Sequence, residues 1–405
     1  MHLIPSHGGR PAEDPIFALN EEATRRRVRG ESIVNATVGA LLDDDGRLAI
    51  LPTAARAVRE VAAAEWASYA PIAGTPEFLR AVIDDLLGGE PDLRRTAVAV
   101  ATPGASGAVR HAIANFLEPG QALLTTGWFW GPYRTMCDEA ERKLATFEMF
   151  AERGGLDVAA LDQGLGRLLA TQRRALLVLN DPCQNPTGYT MTDDEWRAVV
   201  ECVSARAAQG PITLLVDCAY FLYSARDPRS FLRHLGPLIG RATVLFAWSA
   251  SKSFTHYGLR VGALVACVAD ETERRKVESA LSYSSRGAWS NCNHGGLSAI
   301  TRLLTDVEMA RACASEREDL KSLLLGRVHA FNRHAKGRGL RYPRYEGGFF
   351  VTMFDDGARE KAKAMRAQGV YVLPQVGASG RGVLRVALCS VAERDVGRLV
   401  EALAG

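Results

Sequence analysis

Between about residues 95 and 270, short apolar runs alternate with stretches of helical periodicity. The runs are Ala97–Ala101, Ala122–Thr125, Ala175–Leu179, Thr213–Val216, Thr243–Ala247 and Ala263–Cys267, each bounded by Gly, Pro, Asn or Asp. Helical stretches such as Thr192–Arg206 fall between them. This alternation predicts crossover connections, hence an α/β unit with a mostly parallel, doubly wound sheet between helices. Ligands of such sheets bind beyond the carboxyl ends of the strands, so the residues following each run are the ones to inspect. Further on, Asp306–Ala335 reads as a long helix with an imperfect apolar stripe. Gly347–Phe354 and Val383–Leu388 read as strands, and Glu360–Ala367 and Ala392–Leu403 as helices, which makes a smaller α+β unit. The first 45 or so residues are too polar to form a core and are expected to pack against that unit. The resulting division is 1–46, an N-terminal segment; 47–315, a large ligand-binding domain; and 316–405, a small C-terminal domain.

Composition narrows the function class. Of 405 residues, 47% are hydrophobic and 23% charged, as in a folded globular chain. The 49 Lys+Arg and 46 Asp+Glu give +3 with no long basic run, which argues against nucleic acid as a partner. No stretch approaches the roughly 20 apolar residues of a membrane span, and MHLIPSHGGRPAEDP lacks the layout of a secretory signal. The eight cysteines never form a C-x-x-C pair and read as small core hydrophobes in a reducing compartment, so a cytoplasmic enzyme is expected. The eight histidines show no metal-ligand spacing, and no metal is expected.

The densest chemistry lies in SASKSFTHYGLRVG, Ser249 to Gly262. Lys252 follows an apolar run, where loss of hydration can lower its pKa enough to make the amine a nucleophile towards a carbonyl. The neighbouring hydroxyls and Arg260 suit a phosphate dianion. Together they describe a lysine in Schiff-base linkage to pyridoxal phosphate; taken alone, the segment also reads as a surface loop. In ATPGASGAVR, a small-residue turn before a helix presents backbone amides and Ser106 to an anion. Asp217, in VDCAY, ends a run at the level where a carboxylate could keep a pyridine nitrogen protonated, and Tyr220 follows by three; a helix cap is the other reading of Asp217. Asn185 precedes a proline that restricts its backbone, although Asn-Pro is also an ordinary turn signal. Arg385 lies mid-strand among apolar neighbours and needs an anion, either a substrate carboxylate or a structural ion pair.

The chain resembles the aspartate/aromatic branch of the class I aminotransferases, pyridoxal-phosphate enzymes of fold type I. The resemblance runs from VGALLDDDG (Val38 to Gly46) through SYAPIAGTPEF (Ser68 to Phe78) and the segments above to Arg385, nearly the whole chain in order. It implies a seven-stranded, mostly parallel large-domain sheet. It implies that Lys252 is the Schiff-base lysine and proton carrier, Asp217 the pyridinium partner, and Tyr220 and Asn185 the groups on the 3-oxygen. Ser249, Arg260, Ser106 and the Ala105 amide would form the phosphate cup, and Trp130 would stack on the ring. Arg385 would clamp the substrate α-carboxylate, with Gly39 in a covering segment and Phe349 lining the pocket. Tyr69 would reach the phosphate of a neighbouring subunit, which implies a homodimer with shared active sites.

Arg286, in RGAWSN, resembles the arginine that crosses the interface to bind a side-chain carboxylate; in isolation it is an ordinary loop residue. It favours aspartate and glutamate as donors, and the related aromatic enzymes keep it. The expected activity is ping-pong transamination between an L-amino acid and a 2-oxo acid such as 2-oxoglutarate. β- or γ-elimination on the same cofactor and a non-catalytic regulator are the alternatives. Three departures stand out: Gly104 and Ala105 where Ser-Gly is common, Tyr133 where many relatives carry a histidine behind the aspartate, and Cys-Asn after Asn291 in place of prolines.

Overall fold

The structure, a computed structural model, describes residues 2–4, 7–10, 15–377 and 380–405. Part of the N-terminal stretch inspected for a signal, residues 1, 5, 6 and 11–14, lies outside them. The described strands, in chain order, are β1 (Val34–Asn35), β2 (Ala97–Pro103), β3 (Ala122–Thr126), β4 (Lys143–Phe147), β5 (Ala175–Asn180), β6 (Ile212–Asp217), β7 (Thr243–Ser249), β8 (Val261–Cys267), β9 (Phe350–Phe354), β10 (Val370–Tyr371), β11 (Leu373–Val376) and β12 (Gly382–Ala387).

Strands β2 to β8 form one seven-stranded sheet in the order β2-β8-β7-β6-β5-β3-β4. Every pairing is parallel except those of β8, which runs against both β2 and β7. β5 and β6 are buried at every position, which explains why they read as apolar runs, interrupted only by Thr213, that each close on a polar residue. The pattern missed β4: the run KLATF mixes polar and apolar residues because it is an edge strand that starts on exposed Lys143. The helix Asp193–Arg206 begins where the sequence places it. Thr192 accepts from the Glu195 amide at 3.2 Å while the Glu195 carboxylate accepts from the Thr192 amide at 2.7 Å.

The second apolar cluster lies around the antiparallel sheet β11-β12-β9, backed by the helices Ala358–Ala367 and Val396–Ala404. β1 pairs in parallel with β10, which ties the N-terminal segment to this unit. The helix Val307–Ala335, capped by the Asp306 side chain, runs unbroken across the expected 315/316 boundary. Among the described residues no helix is long and apolar enough to cross a membrane, and no three His, Cys, Asp or Glu side chains cluster to hold a metal ion. All eight cysteines are free, and seven of them are buried.

Candidate active site

The carboxyl ends of β5, β6 and β7 deliver Asn180, Asp217 and Ser249 to one edge of the sheet, where Asn180 and Asp217 are register partners. Because β8 is antiparallel, its beginning lies at that same edge and brings Arg260 alongside them. A cavity of about 210 Å³ opens there, lined by Ala105, Ser106, Trp130, Asn180, Asn185, Asp217, Ala219, Tyr220, Ser249, Ser251, Lys252 and Arg260. A groove of about 800 Å³ between Trp128, Phe150, Arg344 and Arg381 is larger, but the titratable groups with opposed environments converge in the smaller one.

Lys252 sits in a single helical turn, Ala250–Ser253, that the Ser249 hydroxyl opens by accepting from the Ser251 amide at 3.1 Å. Its amine faces the Tyr220 ring at 5.3 Å and the Tyr257 ring at 5.6 Å. Loss of hydration, reinforced by the Arg260 charge, lowers its pKa to about 8. Asp217 is pushed the other way, upward, by burial; the hydrogen bonds from Tyr133 and Ala219 and the Lys252 charge oppose that shift. Tyr133 donates to Asp217 Oδ2 at 2.6 Å, and the Ala219 amide donates to Oδ1 at 3.1 Å. Asp217 is therefore not a helix cap. Tyr133 is itself fully buried, and its ring meets Trp130 edge to face with centroids 5.7 Å apart.

Opposite the lysine, Asn185 Nδ2 donates to the Tyr220 hydroxyl at 3.4 Å. Asn185 is fixed by its own amide, which donates to Asn180 Oδ1 at 2.7 Å, and Asn180 in turn donates to the Asp217 carbonyl at 2.8 Å. Burial raises the Tyr220 phenol well above its ordinary range, so it enters as a neutral donor.

The helix Gly104–Phe116 points its first turn into the cavity, and no side chain caps it. Its amides are thus open to an anion, and Ser106 and Arg260 stand beside them. Gly104 has φ +68°, and a Cβ there would lie 2.6 Å from Arg260 Nη2. Gly104 thus leaves free the space that the guanidinium occupies. Arg260 also donates to Ser251 Oγ at 3.2 Å, so Ser251 joins the cup that the sequence assigned to Ser249, Ser106 and Ala105.

A phosphorylated pyridine aldehyde fits this donor set: an uncapped helix start with a guanidinium, a buried carboxylate with a donor on each oxygen, and an amine of lowered pKa.

The remaining candidates lie outside the cavity lining. Arg385, on β12, donates to the Thr37 carbonyl at 2.7 Å and packs over the Phe350 ring at 4.6 Å. Gly39 presses on the same ring, where a Cβ would lie 2.5 Å from Phe350 Cζ. Phe349, the expected lining residue, is fully buried against Tyr220 and Tyr223, and Phe350, which also meets the Tyr220 ring, lies beside Gly39 and Arg385. The sequence GGFF alone does not say which phenylalanine lies beside Gly39 and Arg385. Arg286 is exposed and donates within its own helix end, to Ser290 Oγ at 3.2 Å and Asn291 Oδ1 at 3.3 Å. Tyr69 is 87% exposed.

Residues 31–403 match the family model for aminotransferase class I and II. The chain belongs to that family. Its members depend on pyridoxal phosphate, and transamination is the activity. The aromatic-amino-acid aminotransferase of Pseudomonas aeruginosa is 28% identical over 350 residues, covering 83% of this chain and 84% of the relative. The aspartate aminotransferase of the same organism is 27% identical over 359 residues, covering 83% and 85%. Among solved structures, an aminotransferase from Anaerococcus prevotii superposes with a TM-score of 0.94 at 31% identity, covering 100% of this chain and 98% of the other. An aromatic-amino-acid aminotransferase from Burkholderia pseudomallei, solved covalently bound to pyridoxal phosphate, superposes with a TM-score of 0.81 at 22% identity, covering 99% of both chains. Elimination and a regulatory role are not favoured by these similarities.

Proposed function

We propose that this aminotransferase moves the amino group of a dicarboxylic or aromatic L-amino acid to a 2-oxo acid such as 2-oxoglutarate, with Lys252 as its central group. The observation that carries this reading is the Lys252 amine, with its pKa lowered to about 8, in one cavity with Asp217 and Tyr220. Bound pyridoxal phosphate supplies a carbonyl for the amine and a ring that accepts the electrons released at Cα. Lys252 is the residue that would hold the cofactor's aldehyde, and its amine would be the base that takes the substrate's Cα proton and returns it one carbon away. Asp217 holds a proton on the ring nitrogen, and the Tyr220 hydroxyl and Asn185 amide bind the 3-oxygen. Ser106, Ser249, Arg260 and the Ala105 amide bind the phosphate, and Trp130 covers the ring face. Arg385, backed by the Gly39 segment, grips the α-carboxylate.

Side-chain choice is assigned to Arg286, acting in the site of a second copy. Trp66, Tyr69 and Tyr283 are 65%, 87% and 82% exposed. Trp66 and Tyr69 flank Ser68, which bonds His294, and Asn291, which touches Arg286, donates to the Ala70 carbonyl. An exposed aromatic patch beside a guanidinium supports a homodimer through this face, with Tyr69 reaching the partner's phosphate. The three-part division at 46 and 315 and a cytoplasmic location belong to the same reading; the eight free thiols support the latter.

The test is a panel of amino acids with 2-oxoglutarate, read by the cofactor's absorbance, beside Lys252→Ala. The holoenzyme should show a band that borohydride shifts, and the variant should keep its fold and lose turnover. Wild-type rates in Lys252→Ala would remove the lysine from the mechanism. Sedimentation at micromolar concentration tests the dimer, and a monomer that is fully active would defeat the shared site.

A further inference from the structure

Residues 36–41 run between Arg385, which grips the substrate carboxylate in the reading above, and the lysine loop, and on one side they are held by β12 and the turn that follows it. Ala36 accepts from the Ala387 amide at 2.8 Å, Thr37 from Arg385 at 2.7 Å, and Val38 from Cys389 Sγ at 3.6 Å. On the other side, the Leu41 amide donates to the Tyr257 hydroxyl at 3.1 Å. Tyr257 lies five residues after Lys252, and its ring faces the lysine amine at 5.6 Å. Its carbonyl accepts from Arg260 at 2.9 Å. One side chain therefore touches the segment beside Arg385, the lysine and, through its backbone, the phosphate cup. Among the described residues, no other hydrogen bond shown for residues 36–41 reaches the lysine loop.

We infer that Tyr257 is a positioning residue whose hydroxyl sets the register between the carboxylate-gripping side of the site, Arg385 with residues 36–41, and the amine-exchanging side, Lys252. An α-amino acid spans both with its carboxylate and its amine, so the separation of the two sides decides whether both ends engage together. Burial holds the phenol neutral, and the hydroxyl stays an acceptor at working pH. The inference rests on the proposed roles of Lys252 and Arg385.

Tyr257→Phe keeps the ring and removes the acceptor. In the cofactor-free protein, hydrogen exchange at the Leu41 amide should quicken about fivefold, the factor that corresponds to one ordinary hydrogen bond. The Val34 amide, bonded to the Gly369 carbonyl, is the control and should not change. In the holoenzyme, the KM for the amino donor should rise several-fold, while cofactor affinity and the absorbance band stay as in the wild type. Unchanged exchange at Leu41 overturns the contact. Faster exchange with an unchanged KM overturns the positioning role. Fully active Lys252→Ala would instead sink the underlying reading, and the exchange result at Leu41 would still stand.

Discussion

Tyr133 and Asp217, 84 residues apart in the chain, meet at 2.6 Å in the buried floor of the site. A carboxylate in that surrounding is costly to ionise, and the phenol is one of two groups that donate to its side-chain oxygens. Where the resemblance led to a histidine, this chain places a donor that carries no charge. Tyr133→Phe should therefore shift Asp217 towards its neutral form. A hydrogen bond to an ionised group contributes about 1.5–3 kcal/mol, so cofactor affinity should fall about tenfold or more. Equilibrium titration by absorbance measures it; an unchanged affinity would show that the Ala219 amide alone suffices.

Capture of the cofactor should follow the ionisation of Lys252. The neutral amine is the nucleophile, and burial lowers its pKa from the ordinary 10.5 to about 8. The second-order rate of pyridoxal phosphate binding to the cofactor-free protein should rise with pH and level off above about 8. By linkage, the unfolded chain binds the proton that the buried amine releases between those two values, so the cofactor-free fold should gain stability as pH climbs through that window. A rate that keeps climbing to pH 10 would place the amine in water.

Arg286→Ala should raise the KM for aspartate and glutamate at least tenfold and that for phenylalanine by less than threefold, since a lost charge-assisted contact is worth about 1.5–3 kcal/mol. Steady-state kinetics on the three donors decides it. Equal losses would show that the guanidinium does not read side-chain charge.

Gly104→Ala adds a Cβ 2.6 Å from Arg260 Nη2 at a backbone φ of +68°. The left-handed conformation alone costs about 1–2 kcal/mol with a side chain, and the guanidinium must retreat. The variant should lose affinity for inorganic phosphate and for the cofactor in parallel, both readable by calorimetry. Loss of stability with unaltered phosphate binding would separate the glycine from the cup.

Arg327, with no exposed side-chain surface, donates to the Cys389 and Leu42 carbonyls and pairs with Asp44 at 2.8 Å. It fastens the DDDG turn to the turn that follows β12, the strand carrying Arg385. Asp44→Ala leaves a buried cation short of its counter-charge and should lower stability by about 2 kcal/mol, seen as a lower denaturation midpoint. An unchanged midpoint would mean that the two carbonyls hold the arginine by themselves.

The central sheet was legible because β5 and β6 are buried on both faces and so are almost wholly apolar, Thr213 aside, with a polar residue at the end of each lining the site. β4 was not, since an edge strand satisfies no such constraint. Lys252, Asp217 and Arg260 could be read from local motifs that end or begin strands. Phe350 and Tyr257 could not, because the first depends on which phenylalanine lies beside Gly39 and the second on a partner far away in the chain, Leu41. Tyr133 was visible as an oddity of sequence, and only the meeting with Asp217 gives it meaning.

The reversed direction of β8 has one last consequence. The chain leaves the sheet at Ser249 and re-enters it at Val261 on the same edge, so Lys252 and Arg260 lie on one antiparallel hairpin. Closing so short a loop costs little entropy compared with a crossover. The spacing between amine and guanidinium is therefore written into a local fragment, and errors of strand order elsewhere in the sheet would leave that pair intact.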